Sequence, residues 1–160
     1  MALKRRPAVG SNGVTDVDVG LFAPLVALVD DEPASILGAM VGGAIDSTVL
    51  PSRTVGWIFA VVATALDCTI CRDAARQLLI DEGIDSQRID AVVRSMSSGE
   101  LDETEQLVLP WVRETVHYRT EVIQRRTKEL SGHLDAALLL EVIGVSSLAN
   151  ACARLSLLRQ

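Results

Sequence analysis

Aromatic side chains, surplus positive charge and cysteine are all scarce in this sequence, and each scarcity excludes something. Phe, Trp and Tyr together make up 3% of the 160 residues, so a core has to be built from Val, Leu, Ile and Ala. Fifteen Lys and Arg are outnumbered by 21 Asp and Glu, which gives a formal net charge of -6. Without a surplus of cations to neutralise phosphates, the chain does not fit a general nucleic-acid binder. Nor does it fit a protein that docks on an anionic membrane. Three cysteines, Cys68, Cys71 and Cys152, are too few and too unevenly spaced for the disulfide framework of a secreted scaffold. The longest apolar run, 55–66, is interrupted by Gly56 and Thr64. It falls short of the roughly 20 residues that cross a bilayer and reads as a buried core helix. Lys4, Arg5 and Arg6 are basic, but no apolar stretch follows them as it would in an export signal. The expectation is a cytoplasmic, soluble protein with neither nucleic-acid nor membrane partners.

What is present is a strongly apolar chain of ordinary domain size. Its hydrophobic fraction is 49%, its charged fraction 22% and its mean hydropathy +0.31, too apolar for disorder. Residues 1–16 read as a flexible tail and 17–160 as one all-α domain of about six to eight helices. Alternation of the strand type does not persist anywhere, whereas helical spacing recurs. An apolar segment covers 19–30. A helix from Pro33 to Ser47 carries Ile36, Leu37, Met40, Val41, Ala44 and Ile45, and a close helix neighbour would explain its Gly42 and Gly43. Ser52 is the expected N-cap of the helix through 66. A further helix reaches 82, stopped by Gly83. Ser86 is the expected N-cap of a short helix to 97. Asp102 with Glu105 three residues on reads as a capping box. The helix it opens contains Pro110, which is expected to kink it. Helices over 120–130 and 133–158 complete the set.

Chemistry concentrates at Cys68-Thr69-Ile70-Cys71. Two thiols at this spacing on the first turn of a helix can close a small disulfide. The positive end of the helix dipole and its free amides favour thiolate over thiol. Cys68 would then be the nucleophile, and Cys71 would resolve the mixed disulfide. Arg72 and Arg76 would add positive charge. Inert packing and half of a zinc site stand as the alternatives. Zinc needs about four ligands, and Cys152, His117 and His133 offer neither a second cysteine pair nor a histidine pair. No metal or cofactor is therefore expected. Asp67, next to Cys68, and His117 are weaker candidates for a supporting role. His133 reads as a solvated helix-start residue and Cys152 as a buried thiol.

The order of segments resembles the carboxymuconolactone decarboxylase / alkylhydroperoxidase D-like family. An apolar helix leads into Leu66-Asp67-Cys68-Thr-Ile-Cys71. Asp-Ala-Ala-Arg76 and Leu78-Leu79 follow, then a Gly-Ile segment with a short helix, then Leu101-Asp-Glu-Thr-Glu105, and an apolar closing helix over 138–155. The resemblance covers roughly two-thirds of the chain. It implies an all-helical fold, a homo-oligomer (dimer, trimer or hexamer) and, in the redox branch, a catalytic disulfide. That disulfide reduces peroxide or takes electrons from a dithiol such as a lipoyl protein. The redox branch places a His four residues after the second cysteine and a Glu about twelve before the first. Those positions are Ala75 and Gly56 here. The expected function is a thiol-disulfide oxidoreductase or weak alkylhydroperoxidase-like protein, or else a degenerate member acting as an oligomeric binding or scaffold protein. Gly56→Glu with Ala75→His is expected to rebuild the relay. The apolar helices 55–66 and 33–47 are expected to leave apolar surface for assembly.

Overall fold

The computed structural model describes residues 31–157. Among these residues there are seven helices and no strand: α1 (Asp31–Ile45), α2 (Ser52–Ala65), α3 (Thr69–Asp81), α4 (Ser86–Ser95), α5 (Glu103–His117), α6 (Thr120–Leu130) and α7 (Ala136–Leu157). The all-α expectation holds. The tail over 1–16, the apolar segment over 19–30 and the end of the last helix at 158 lie outside the described residues.

The apolar run around residue 60 becomes the axis of the fold. Every residue of α2 from Thr54 to Ala63 is buried, and α3, α5 and α7 pack around it. This corrects one expectation about assembly: an all-round apolar helix leaves no free patch when other helices enclose it. The exposed large apolar side chains include Ile36 and Met40 on α1 and Leu140 on α7. α7 spans 22 residues and is long and apolar enough to cross a bilayer by length and composition. It packs on α2, α3, α5 and α1, and buries the polar Ser146, Asn150 and Ser156.

Local chemistry sets the helix ends, and two expected caps shift. Pro51 occupies the N-cap position of α2, with no side-chain cap bond. Ser52 lies just inside the helix and its hydroxyl donates to Glu82 at the far end of α3. Asp85, not Ser86, caps α4, its carboxylate accepting from the backbone N–H groups of Gln87 and Arg88. Asp85 has the extended backbone of a cap residue, whereas Ser86 is already the first residue of the helix. The capping box at Asp102 and Glu105 forms as expected. α5 continues through Pro110. Trp111 Nε1 donates to Thr127 Oγ1 at 2.8 Å, tying α6 to α5.

Gly56 permits a close approach of helices. A Cβ there would lie 3.0 Å from Leu79 Cδ2 and 3.1 Å from Leu79 Cγ. Gly43 answers no such need among the described residues, where a Cβ would meet nothing within 4 Å.

One carboxylate does more than cap. Glu105 is fully buried. It accepts from Arg53 Nη2 at 3.0 Å and Thr54 Oγ1 at 3.3 Å, both at the start of α2, and from the Asp102 backbone N–H at 3.0 Å. Arg53 also donates to the Glu100 carbonyl. The starts of α2 and α5 are thereby fastened at one point.

Candidate redox site

The turn between α2 and α3 delivers the two cysteines. Cys68 N–H donates to Ala63 O at 2.9 Å, closing the end of α2. Asp67 takes a left-handed conformation, φ 54°, which lets the chain reverse within three residues. Cys68 then occupies the N-cap position of α3 in an extended conformation, and its sulfur accepts from Cys71 N–H at 3.3 Å. Cys68 and Cys71 are joined by a disulfide, with Cα atoms 5.4 Å apart. A cap position followed by one helical turn brings two side chains together at this spacing.

Both cysteines are sealed from solvent, at 0% and 1% exposure. Their cover includes the last turn of α7, where Ser156 Oγ lies 3.6 Å from Cys71 Sγ. The Ser156 hydroxyl donates to Cys152 O at 2.9 Å, so in the disulfide state its proton is already used. In the dithiol state the Cys71 thiol can donate to the Ser156 oxygen. Sequence reasoning missed Ser156. Its signal was a small polar residue one helical turn after Cys152 on an otherwise apolar helix.

The other candidates fall elsewhere. The Asp67 side chain is 91% exposed and pairs with Arg72 Nη1 at 3.3 Å. A pair this open adds little stability. Its partner Arg72 also donates to Thr69 Oγ1. Arg76 is engaged with Asp90 at 2.8 Å and with the Ser86 carbonyl, which holds α4 against α3. These contacts, rather than the sulfurs, account for both arginines. His117 is exposed at the last residue of α5 and His133 is exposed in the turn before α7. No hydrogen bond among the described residues joins His117 or Asp67 to either sulfur. Ala75 is fully buried on α3, and Gly56 is closed over by Leu79 and Leu78. Leu79 and Leu78 thus stand where a side chain at 56 would enter. That packing stands against Gly56→Glu with Ala75→His rebuilding the relay. Among the described residues no group of three or more His, Cys, Asp or Glu side chains is placed to hold a metal ion.

Cys152 is free and buried. Burial pushes its thiol up from 9.0 to about 11, and its backbone hydrogen bond only partly opposes this. A thiol whose folded value is raised contributes stability that is fully present below the unfolded value. That contribution is lost as pH climbs through the folded one. Stability should accordingly fall between pH 9.0 and about 11, and less so in Cys152→Ala. Native Cys152 should also alkylate at least roughly 100-fold more slowly than free cysteine at pH 8, since two pK units separate them. Iodoacetamide labelling followed by peptide mass spectrometry reads this directly.

No protein-family model, no curated protein and no solved structure matches this chain.

Proposed function

We propose that the chain is a thiol-disulfide redox protein whose working group is the Cys68–Cys71 pair. The observation that carries this reading is the disulfide itself, closed between the N-cap and first turn of α3. Helix N-termini favour thiolates through their free amides and dipole, so a pair in this position exchanges more readily than two thiols buried elsewhere. The segment order that resembles the alkylhydroperoxidase D-like family supports the same reading, and with it an external dithiol as electron donor.

A thiolate of a dihydrolipoyl group attacks one sulfur of the disulfide, and the second dihydrolipoyl thiol resolves the mixed disulfide. Two electrons and two protons pass to the protein, leaving a lipoyl disulfide and the Cys68/Cys71 dithiol. The dithiol then reduces a hydroperoxide to alcohol and water and returns to the disulfide. General acid-base partners contribute roughly 10²–10⁴-fold to such steps. Neither sulfur has one among the described residues, which makes peroxide reduction slow and dithiol exchange the main activity. Access requires the last turn of α7 to move off α3. Exchange of the native disulfide with dihydrolipoamide, read by differential alkylation, tests the proposal.

A second reading is favoured by the burial of both sulfurs and by the filled relay positions: a degenerate member that serves as an oligomeric binding or scaffold protein, with the disulfide as a staple. Under either reading the chain is a homo-oligomer. The support is the apolar groove between α1 and α7, about 440 Å³, lined by Met40, Ala44, Leu140 and Leu148. Exposed apolar surface of this kind marks interfaces. Light scattering at micromolar concentration should give a multiple of the 17.1 kDa chain mass. A monomer would refute the assembly.

A further inference from the structure

The last turn of α7 crosses the start of α3 and brings one polar side chain to the disulfide. Ser156 and Cys71 are each 1% exposed, and Cys68 is fully buried. Ser156 Oγ lies 3.6 Å from Cys71 Sγ, within hydrogen-bonding reach of sulfur and across 85 residues of sequence.

Hydrogen bonding fixes what Ser156 has to offer. A serine hydroxyl has one proton and two acceptor lone pairs. The proton of Ser156 is committed to Cys152 O at 2.9 Å. What faces Cys71 is therefore a lone pair. Ser147, on the same helix, makes the same kind of bond to Ile143 O at 2.8 Å but is exposed, away from the sulfurs.

That lone pair separates the two redox states. A disulfide sulfur carries no proton, so in the oxidised pair it has nothing to donate to Ser156. Reduction puts a proton on Cys71 Sγ, and the new thiol donates to Ser156 Oγ. A buried donor without an acceptor is costly in a site closed to water, so this bond counts only on the reduced side. Cys68 Sγ is different. It accepts from Cys71 N–H at 3.3 Å with the disulfide already closed, a bond that needs no proton on sulfur.

We propose that Ser156 is a positioning residue that poises the Cys68–Cys71 couple toward the dithiol and fastens the last turn of α7 over α3 in the reduced state alone. The inference rests on the redox reading above and adds its regulation. In exchange with a dihydrolipoyl group, the Cys68–Cys71 bond breaks and the lipoyl S–S bond forms. Two electrons and two protons reach the cysteines, and Ser156 accepts a hydrogen bond from the proton on Cys71. The reduced site is thereby held shut, and the disulfide is the form that opens more readily to the next dithiol.

Ser156→Ala removes the acceptor. At equilibrium with lipoamide and dihydrolipoamide it should favour the disulfide about fivefold more than wild type does, about 20 mV more negative for a two-electron couple. Hydrogen exchange at the last turn of α7 reads the fastening. The ratio of exchange rates, disulfide form over dithiol form, should fall about fivefold in Ser156→Ala. Whatever the substitution does to the helix itself acts on both forms and cancels in that ratio. Ser156→Thr keeps a hydroxyl and should hold the wild-type poise and ratio. Ser147→Ala loses the same kind of helix bond and should also leave both unchanged. A serine with a structural role alone would move both redox forms together. Circular dichroism establishes that each variant is folded. A native disulfide that dihydrolipoamide cannot reach counts against the redox reading and not against Ser156, because dithiol protein reduced in denaturant and refolded still gives the exchange ratio. The proposal is overturned by a poise or an exchange ratio that folded Ser156→Ala leaves at the wild-type value, or by an equal shift in Ser147→Ala.

Discussion

Gly56→Glu is expected to unfold the protein or bring it close to unfolding. A Cβ at this position already stands 3.0 Å from Leu79 Cδ2 and 3.5 Å from Leu78 Cδ2, and a glutamate adds four further heavy atoms. Overpacking of a tight core costs about 1–3 kcal/mol. A carboxyl group buried without a partner adds several kcal/mol more, whether it stays charged or takes up a proton. The sum, about 4 kcal/mol or above, is a large share of the roughly 5–15 kcal/mol by which domains are stable. Gly56→Ala is the control. It gains about 1 kcal/mol in helix propensity and loses a similar amount if Leu79 cannot give way, so it should stay within about 1 kcal/mol of wild type. Urea unfolding of the two variants decides the matter. A Glu variant as stable as the Ala variant would mean that α2 and α3 are not closed against each other here, and that a proton relay could be rebuilt.

Glu105→Ala is the second large effect. The substitution removes a fully buried carboxylate that holds Arg53, Thr54 and the Asp102 N–H together. Removing one partner of a buried ion pair costs about 3–5 kcal/mol. The Arg53 side chain is 32% exposed and recovers part of this from water, so about 3 kcal/mol is expected once the lost cap is included. Glu105→Gln keeps an acceptor for the Asp102 N–H, as capping boxes allow, and should cost about 1 kcal/mol. Chemical denaturation should therefore rank wild type above Gln and Gln above Ala. An Ala variant within about 0.5 kcal/mol of wild type, the range of an ordinary surface change, would show that the fastening between α2 and α5 does not hold in solution.

The fold class was legible because helical spacing and stop signals recur along the chain. The capping box at Asp102, the stop at Gly83 and the helix over 120–130 all stand where local residues put them. Caps that depend on a competing neighbour were not legible. Asp85 and Ser86 are both good cap residues, and the backbone puts Asp85 in the extended cap position, while Ser52 is drawn to Glu82 across 30 residues of sequence. Within the site, the cysteine pair was readable from spacing alone. Its burial was not, since that depends on how α7 crosses the start of α3. The same crossing makes Ser156 a neighbour of Cys71 and leaves His117 and Asp67 in solvent. Glu105 read as a cap and proved also to be a tertiary contact, because a cap motif says nothing about what packs against it. The glycines show the limit most clearly. Gly56 and Gly43 both stand in apolar helices, yet among the described residues a neighbour presses on Gly56 and none on Gly43.

The central claim is that Cys68 and Cys71 exchange electrons in the folded protein. The direct measurement is an equilibrium titration of the native protein with mixtures of lipoamide and dihydrolipoamide, quenched by acid and read by mass spectrometry of alkylated peptides. The account predicts that Cys68 and Cys71 pass together and reversibly between disulfide and dithiol, and that Cys152 remains a thiol at every poise. Circular dichroism should stay that of the folded protein throughout, since a loop this short contributes only about 2 kcal/mol of stability. A disulfide that resists dihydrolipoamide in the native state, and yields only after denaturation, would contradict the redox reading and leave the pair as a structural staple.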